Sequence, residues 1–476
     1  MSGRILFRAT TALTLMAAPG SLAAQTISAS EAAELRAQIA ALKAQVQQLE
    51  TRLDGAAVPA AAQADAAAAP VAGEAPALAA QTASAPPATA KSAPETKVGW
   101  KGGPVFSQDD ASFKVKGRIQ YDAGLLKAPD SIADRAKGYS NELRRLRLGG
   151  EGQLGGGFGY KLEVELSDNK VDAVDTYISY ERGPWLIQLG NQNQFQSLDE
   201  LIGDTSGSVM ERAAFTDAFG FERRLGLSVQ YKSGILLAQA GIFSDSIDSL
   251  VNSADGPDGG DENNSYGIDG RVVLAPKWGD TQLHFALSGH WRDLQRLSGN
   301  PRRYRQRPFL HTVNSYFLDS GNIAATGENH YGVELAGSHG PLWWAGEAHW
   351  LRVQRPGLAD PVFFGGYGEI GYVLTGEARS YKNGIFGGVK PANPVGGGGL
   401  GAWQVTLRHD YLDMNDRDIV GGRQKAYIAA LVWTPIEYLR FNVNYAHIDY
   451  GNAAILAGGR SRYGIDVLGW RAELDF

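Results

Sequence analysis

The 476-residue chain contains no cysteine. That excludes disulfides and thiolate metal sites, and it suits an oxidising envelope compartment. It also lacks an excess of positive charge: 45 Lys and Arg stand against 51 Asp and Glu, a formal net charge of -6. Nucleic acid is therefore not an expected partner. Histidine is scarce, and His284, His290, His349, His409 and His447 are scattered without a hydrolase motif. A barrel protease or phospholipase would need an activated nucleophile and a base, so no enzymatic activity and no cofactor is expected. Long apolar runs are missing too. The run Ala9–Ala18 is too short to span a bilayer as a helix.

The first hundred residues divide by composition. Arg4 and Arg8 precede that short apolar run, and Ser21, Ala23 and Ala24 offer a small-residue cleavage site. Residues 1–24 thus read as a secretory signal peptide rather than a buried N-terminal helix. Its removal would take the net charge from -6, less two arginines, to -8. In residues 25–54, Leu35, Ile39, Leu42, Val46, Leu49 and Leu53 are spaced alternately by four and three. That is the seam of a short periplasmic coiled coil, or of a lone amphipathic helix. Residues 55–110 form an Ala/Pro-rich linker with little to bury, ahead of a folded domain at 111–476.

From residue 111 onward, two-residue alternation dominates. Leu439, Phe441, Val443 and Tyr445 oppose Arg440, Asn442 and Asn444. Phe158, Tyr160, Leu162, Val164 and Leu166 oppose Lys161, Glu163 and Glu165. The final stretch Asp466–Phe476 sets Leu468, Trp470, Ala472, Leu474 and Phe476 on one face and ends on a bare aromatic. Strands of about ten residues, greasy on one side and charged on the other, suit either a soluble sandwich or a membrane barrel. Aromatics toward strand ends, the signal peptide and the terminal phenylalanine favour the barrel. Sixteen candidate strands are present, joined alternately by tight Gly/Pro turns and long loops. The expected fold is all-β: a sixteen-stranded antiparallel transmembrane β-barrel in the bacterial outer membrane, preceded by a short N-terminal coiled-coil helix. Both chain ends would be periplasmic, and the bilayer would be a partner. Phe476 would address the chain to the barrel-assembly machinery.

Several long stretches carry a family resemblance, in one order across residues 113 to 476. They are LRRLRLGGEG, GYKLEVELSD, FQSLDELIGDTSGSVMERAAF, RRYRQRP, YVLTGEARSYKNGIFGGVKP and GAWQVTLRHDYLDMND. The chain resembles the phosphate-selective porin O and P family. The resemblance implies a homotrimeric sixteen-stranded porin whose lumenal arginines and lysines select small anions, phosphate or polyphosphate in its best-known members.

Selectivity in such a pore needs a narrowed lumen and fixed charge. The long connection 192–223 is the candidate constriction, with Glu211 and Arg212 either facing the solute or forming a local ion pair. Lys114, Lys116, Arg118, Arg145, Arg147 and Lys161 are candidates for the anion path, as are Arg303, Arg305 and Arg307 on the outer loop. A guanidinium grips phosphate or carboxylate through two parallel hydrogen bonds. Alternatively, these bases pair with Glu151, Glu163 and Glu165 and only stiffen the wall. The turn 376–400, with Arg379, Lys382 and Lys390, is a candidate second restriction folded back into the lumen. A structural rival to the channel is a barrel that anchors an envelope tether.

Overall fold

A computed structural model describes residues 96–247, 265–294 and 302–476. The expected signal peptide and coiled coil, and most of the expected linker, lie outside the described residues.

Sixteen antiparallel strands close into one barrel. They are β1 (Ala111–Lys127), β2 (Gly138–Gly155), β3 (Phe158–Glu165), β4 (Asp172–Arg182), β5 (Trp185–Asn193), β6 (Arg223–Ser233), β7 (Leu236–Phe243) and β8 (Tyr266–Leu274). The circuit continues with β9 (Thr281–Asp293), β10 (Gly327–His339), β11 (Leu342–Gln354), β12 (Val362–Val373), β13 (Ala402–Asp416), β14 (Ile419–Ile436), β15 (Leu439–Gly451) and β16 (Tyr463–Asp475). Closure is by β16 on β1, with Trp470 opposite Ala123 and Leu474 opposite Ile119. The terminal carboxy residue joins the ladder as well. Phe476 N donates to Gly117 O over 2.9 Å, and Gly117 N donates to Phe476 O over 3.0 Å. The Phe476 ring occupies the space where a Cβ on Gly117 would stand, so any other residue here would have to displace that ring.

Alternation fixes which face meets which solvent. Leu148, Leu162, Ile178, Leu227, Leu287, Leu335 and Leu407 are each more than half exposed on the outside, where lipid would cover them. Aromatic pairs mark the ends at the tight turns: Trp403 on Trp433 and Trp433 on Phe441 at 5.4 Å, Phe158 on Tyr180 and Trp185 on Tyr231 at 4.7 Å. Such girdles sit at the bilayer interface. Among the described residues no helix is long and apolar enough to cross a membrane.

Two features differ from the sequence reading. Residues 96–110, assigned to the linker, carry a hairpin of Lys97–Lys101 and Gly103–Gln108. Its second strand pairs with the start of β1 through Val105 opposite Lys114. The barrel wall is also lopsided. Strands β3 to β8 run 8 to 11 residues, whereas β9 to β16 run 12 to 18 and β1 and β2 run 17 and 18. Inside the taller half, Phe215, Leu310, Phe317, Leu412, Ala426, Ile448 and Tyr450 are buried in a packed apolar core. Residues of the outer loop, such as Leu310, Val313 and Phe317, complete that core from above.

Candidate functional site

The connection between β5 and β6 turns inward and is fastened to the taller wall. Its first helix, α1 (Leu198–Leu201), is capped by Ser197, whose Oγ accepts from Glu200 N over 3.3 Å. The same Oγ donates to Glu347 of β11 over 2.9 Å. Glu347 also accepts from Leu198 N, Asp199 N and Tyr367 Oη at 3.0, 2.7 and 3.0 Å. A buried carboxylate with this many donors is well satisfied, which is what its burial requires.

Further along the loop, Arg408 of β13 bridges Asp199 at 3.0 Å and Glu369 of β12 at 2.9 Å, with its guanidinium 4.2 Å from the Tyr367 ring centroid. Met210 N donates to Asn444 Oδ1 over 3.1 Å. At α2 (Ala214–Ala218), Ala214 N donates to Asp410 over 3.0 Å. Arg471 of β16 grips Asp122 at 2.7 Å and Glu211 at 2.6 Å, and Arg440 donates to the carbonyls of Asp204 and Gly207. Five strands of one wall thus hold a single loop.

The loop presents Asp204 to the opposite side. Its carboxylate lies 3.1 Å from Arg145, 3.1 Å from Arg212 and 3.5 Å from Arg118. Burial raises this carboxyl, but the arginines outweigh it and hold it well below the usual range. Glu200 shows the reverse balance. Burial dominates over its Arg212 partner at 3.3 Å, and the carboxyl is pushed up to about 7.

The candidate residues separate under this geometry. Lys116 pairs with Glu151 at 3.2 Å, Arg118 with Asp475 at 3.3 Å, and Arg147 with Glu163 and Glu165 at 3.1 and 2.8 Å. Lys161 pairs with Glu163 at 3.1 Å and with Asp175. Five of the six bases on β1 to β3 are thus paired: Lys116, Arg118, Arg147 and Lys161 with acids on neighbouring strands, and Arg145 with Asp204 of the inward loop. Lys114 alone of that set carries no ion pair among the described residues. Glu211 and Arg212 do not pair with each other. Glu211 turns to Arg471, and Arg212 to Glu200 and Asp204.

On the outer loop, Arg303 binds Asp319, while Arg305 and Arg307 lie 4.2 and 4.8 Å from the Tyr316 ring centroid. In the long turn 376–400, Arg379 is buried, stacks 4.4 Å from Trp343 and donates to Ser206 O over 2.7 Å. Beside it, Tyr381 Oη meets His284 at 2.7 Å and Gly384 O accepts from Arg271 at 3.0 Å. Lys382 is exposed, and Lys390 pairs with Glu437 of the neighbouring turn at 2.8 Å.

The anchors Asp199, Asp204, Glu347, Glu369 and Arg408 escaped the sequence reading. Their signal was weak but present: each wall member occupies a polar-face position in an alternating strand, Glu347 in WLRV-preceding GEAH and Arg408 in TLRH.

Among the described residues, two lumenal cavities lie beside β1 and β2. An upper chamber of about 410 Å³ lies between the inward loop and the outer loop, lined by Arg144, Arg145, Arg212, Arg223, Arg307, Arg471, Glu200, Asp204, Glu211, Asp217 and Glu222 among others. A lower chamber of about 520 Å³ is lined by Lys101, Lys114, Lys161, Glu151, Tyr177 and Gln188 among others.

The family model for the phosphate-selective porin O and P matches residues 113–476, the whole barrel. The chain belongs to that porin family. A protein of Caulobacter vibrioides with no assigned function is 52% identical over 455 residues, covering 96% of this chain and 92% of its own. Porin O of Pseudomonas aeruginosa is 26% identical over 356 residues, 67% of this chain and 77% of its own. In structure, in-vitro folded OmpT of Vibrio cholerae is 9% identical, covers 78% of this chain and 99% of its own, and has a TM-score of 0.50. That likeness shows the shared fold. This porin is thus a sixteen-stranded outer-membrane channel, and its narrowed lumen lies along β1 to β6.

Proposed function

We propose that this porin passes small anions by passive diffusion. One observation carries the reading: the two lumenal chambers are lined by nine Lys and Arg against six Asp and Glu, although the chain as a whole has a net charge of -6. Lumenal charge, not total charge, sets the potential an ion meets in a confined, poorly screened path. Lys114 and Lys161 give a solute leaving the constriction a further weak site near the exit. Membership of a family described as phosphate-selective supports phosphate as one of the anions carried. The acids interleaved with the bases argue against a channel for phosphate alone.

The rest of the proposal follows the same family. The porin assembles as a homotrimer, is exported by residues 1–24, keeps its N-terminal segment in the periplasm and is delivered to the assembly machinery through the strand ending at Phe476. Turn 376–400 serves as a second restriction beneath the loop, through the contacts of Arg379 and Tyr381.

The test is reconstitution in planar bilayers under a potassium chloride gradient. The reading expects open channels with an anion-sign reversal potential, partly shifted toward zero by phosphate. A cation-sign potential overturns the anion assignment, and a folded trimer without conductance overturns the channel and favours a tether.

A further inference from the structure

The upper chamber is lined by six arginines. Most of its bases are already committed: Arg145 and Arg212 to Asp204, Arg471 to Asp122 and Glu211, Arg223 to Asp175. Two are not. Arg144 approaches a carboxylate no closer than 3.9 Å, at Glu211, and its buried Nε has no acceptor. Arg307 reaches only the Tyr316 hydroxyl, at 2.7 Å, and its buried Nε is also without an acceptor. A buried guanidinium N–H without a partner is costly, so both positions favour an incoming oxyanion.

The remaining lining restricts what that oxyanion is attached to. Met210, Phe221, Phe309 and Leu310 face the same cavity, next to Tyr316 under the paired guanidinium groups of Arg305 and Arg307. Glu200, Asp217 and Glu222 face it as well. Asp217 accepts the Arg307 backbone N–H at 3.2 Å and has no ion pair among the described residues. Above about pH 7, where Glu200 is ionised, these carboxylates repel a second negative charge on a solute, although Glu222 is partly offset by its Arg224 partner. Doubly charged phosphate would meet that penalty and gain nothing from the apolar side. A monoanion with an apolar body gains from both. The volume of about 410 Å³ lies within the ordinary range for small-ligand sites and has room for a ring.

Resting on the small-anion reading above, we propose that the upper chamber is a binding site for organic monocarboxylates with an aromatic or branched apolar body. Arg144 and Arg307 hold the carboxylate, and the Phe221–Phe309–Leu310 side holds the body.

The test uses the full-length porin in planar bilayers carrying chloride current, with benzoate, acetate, phosphate or phenylalanine added on the outer-loop side. The proposal expects benzoate to block in a saturable manner. Acetate and phosphate would block at least about tenfold more weakly, since each lacks one half of the recognition. Arg307→Gln and Arg144→Gln should each weaken benzoate block about tenfold, in protein whose heat-modifiable gel mobility shows that the barrel has folded. Phosphate blocking better than benzoate, acetate matching benzoate, or the zwitterion phenylalanine exceeding both would overturn the proposal. So would unchanged benzoate block in the two variants. A channel that conducts chloride but ignores benzoate sinks this site alone, whereas absence of any anion current sinks the porin reading beneath it.

Discussion

The two halves of the barrel are made from the same alternating strands but end as different materials. From β9 to β16 the interior is solid. Glu347, Glu369, Arg408, Asp410, Asn444 and Arg471 hold the inward loop, and Phe215, Phe317, Leu412 and Ile448 pack as a protein core. From β1 to β6 most inward bases are paired with acids, across strands for Lys116 and Arg147, but two open chambers remain. The difference shows what an inward polar residue can do. On one side it is an anchor and must be satisfied by protein; on the other it meets solute. A lumen-facing base is thus informative only after its partners are known.

The largest break in this contrast should come from Arg408→Ala. It leaves Asp199 and Glu369 buried without their shared cation, at a cost of about 3–5 kcal/mol. The barrel should unfold at lower temperature in a gel heat-modifiability assay, and surviving channels should be wider and noisier. Glu347→Gln should be milder. It keeps an acceptor for some of the loop donors, so conductance should rise with little loss of heat stability.

Selectivity should respond to pH through Glu200. Its carboxyl titrates at about 7, so lowering the pH from 8 to 6 removes a negative charge from the upper chamber. Asp204 stays ionised across that range because the arginines hold it low. Anion selectivity should rise as pH falls, with a midpoint near 7 by reversal potential, and the rise should vanish in Glu200→Gln. The stability sign follows from the same shift. The raised carboxyl favours the folded loop below its unfolded value near 4, and that contribution is lost as pH rises through about 7.

At the small end, Lys390→Ala should leave both reversal potential and heat stability unchanged, since its partnership with Glu437 is exposed. Reversing Arg145 and Arg147 together is a poor probe of selectivity. Each new carboxylate would face Asp204, Glu163 or Glu165, and destabilisation would hide the effect. Lys114→Glu is cleaner because no carboxylate pairs with Lys114, and anion selectivity should fall with the barrel intact.

Much of the wall was legible in the sequence. The period of two places Leu439, Phe441 and Val443 outside and Arg440 and Asn442 inside, and tight Gly/Pro turns give the count and parity of strands. Loop 192–223 stood out by length. Its landing place did not, because Ser197 and Glu347 are 150 residues apart and nothing local links them. The same limit hid the ion-pair ladders. Lys116 against Glu151 and Lys161 against Asp175 depend on register between strands, which alternation alone does not give.

The contrast between the halves is open to one direct measurement, since the chain has no cysteine to interfere. Single cysteines at Gln188 and Ser179 line the lower chamber, whereas Thr406 and Gln424 are buried on the packed side. A negatively charged thiosulfonate reagent, added while single-channel current is recorded, should modify Gln188→Cys and Ser179→Cys within the open channel and lower their anion current. It should leave the current of Thr406→Cys and Gln424→Cys unchanged. Rapid modification of the buried pair with no effect at 188 and 179 would place the ion path on the wrong wall and contradict the account.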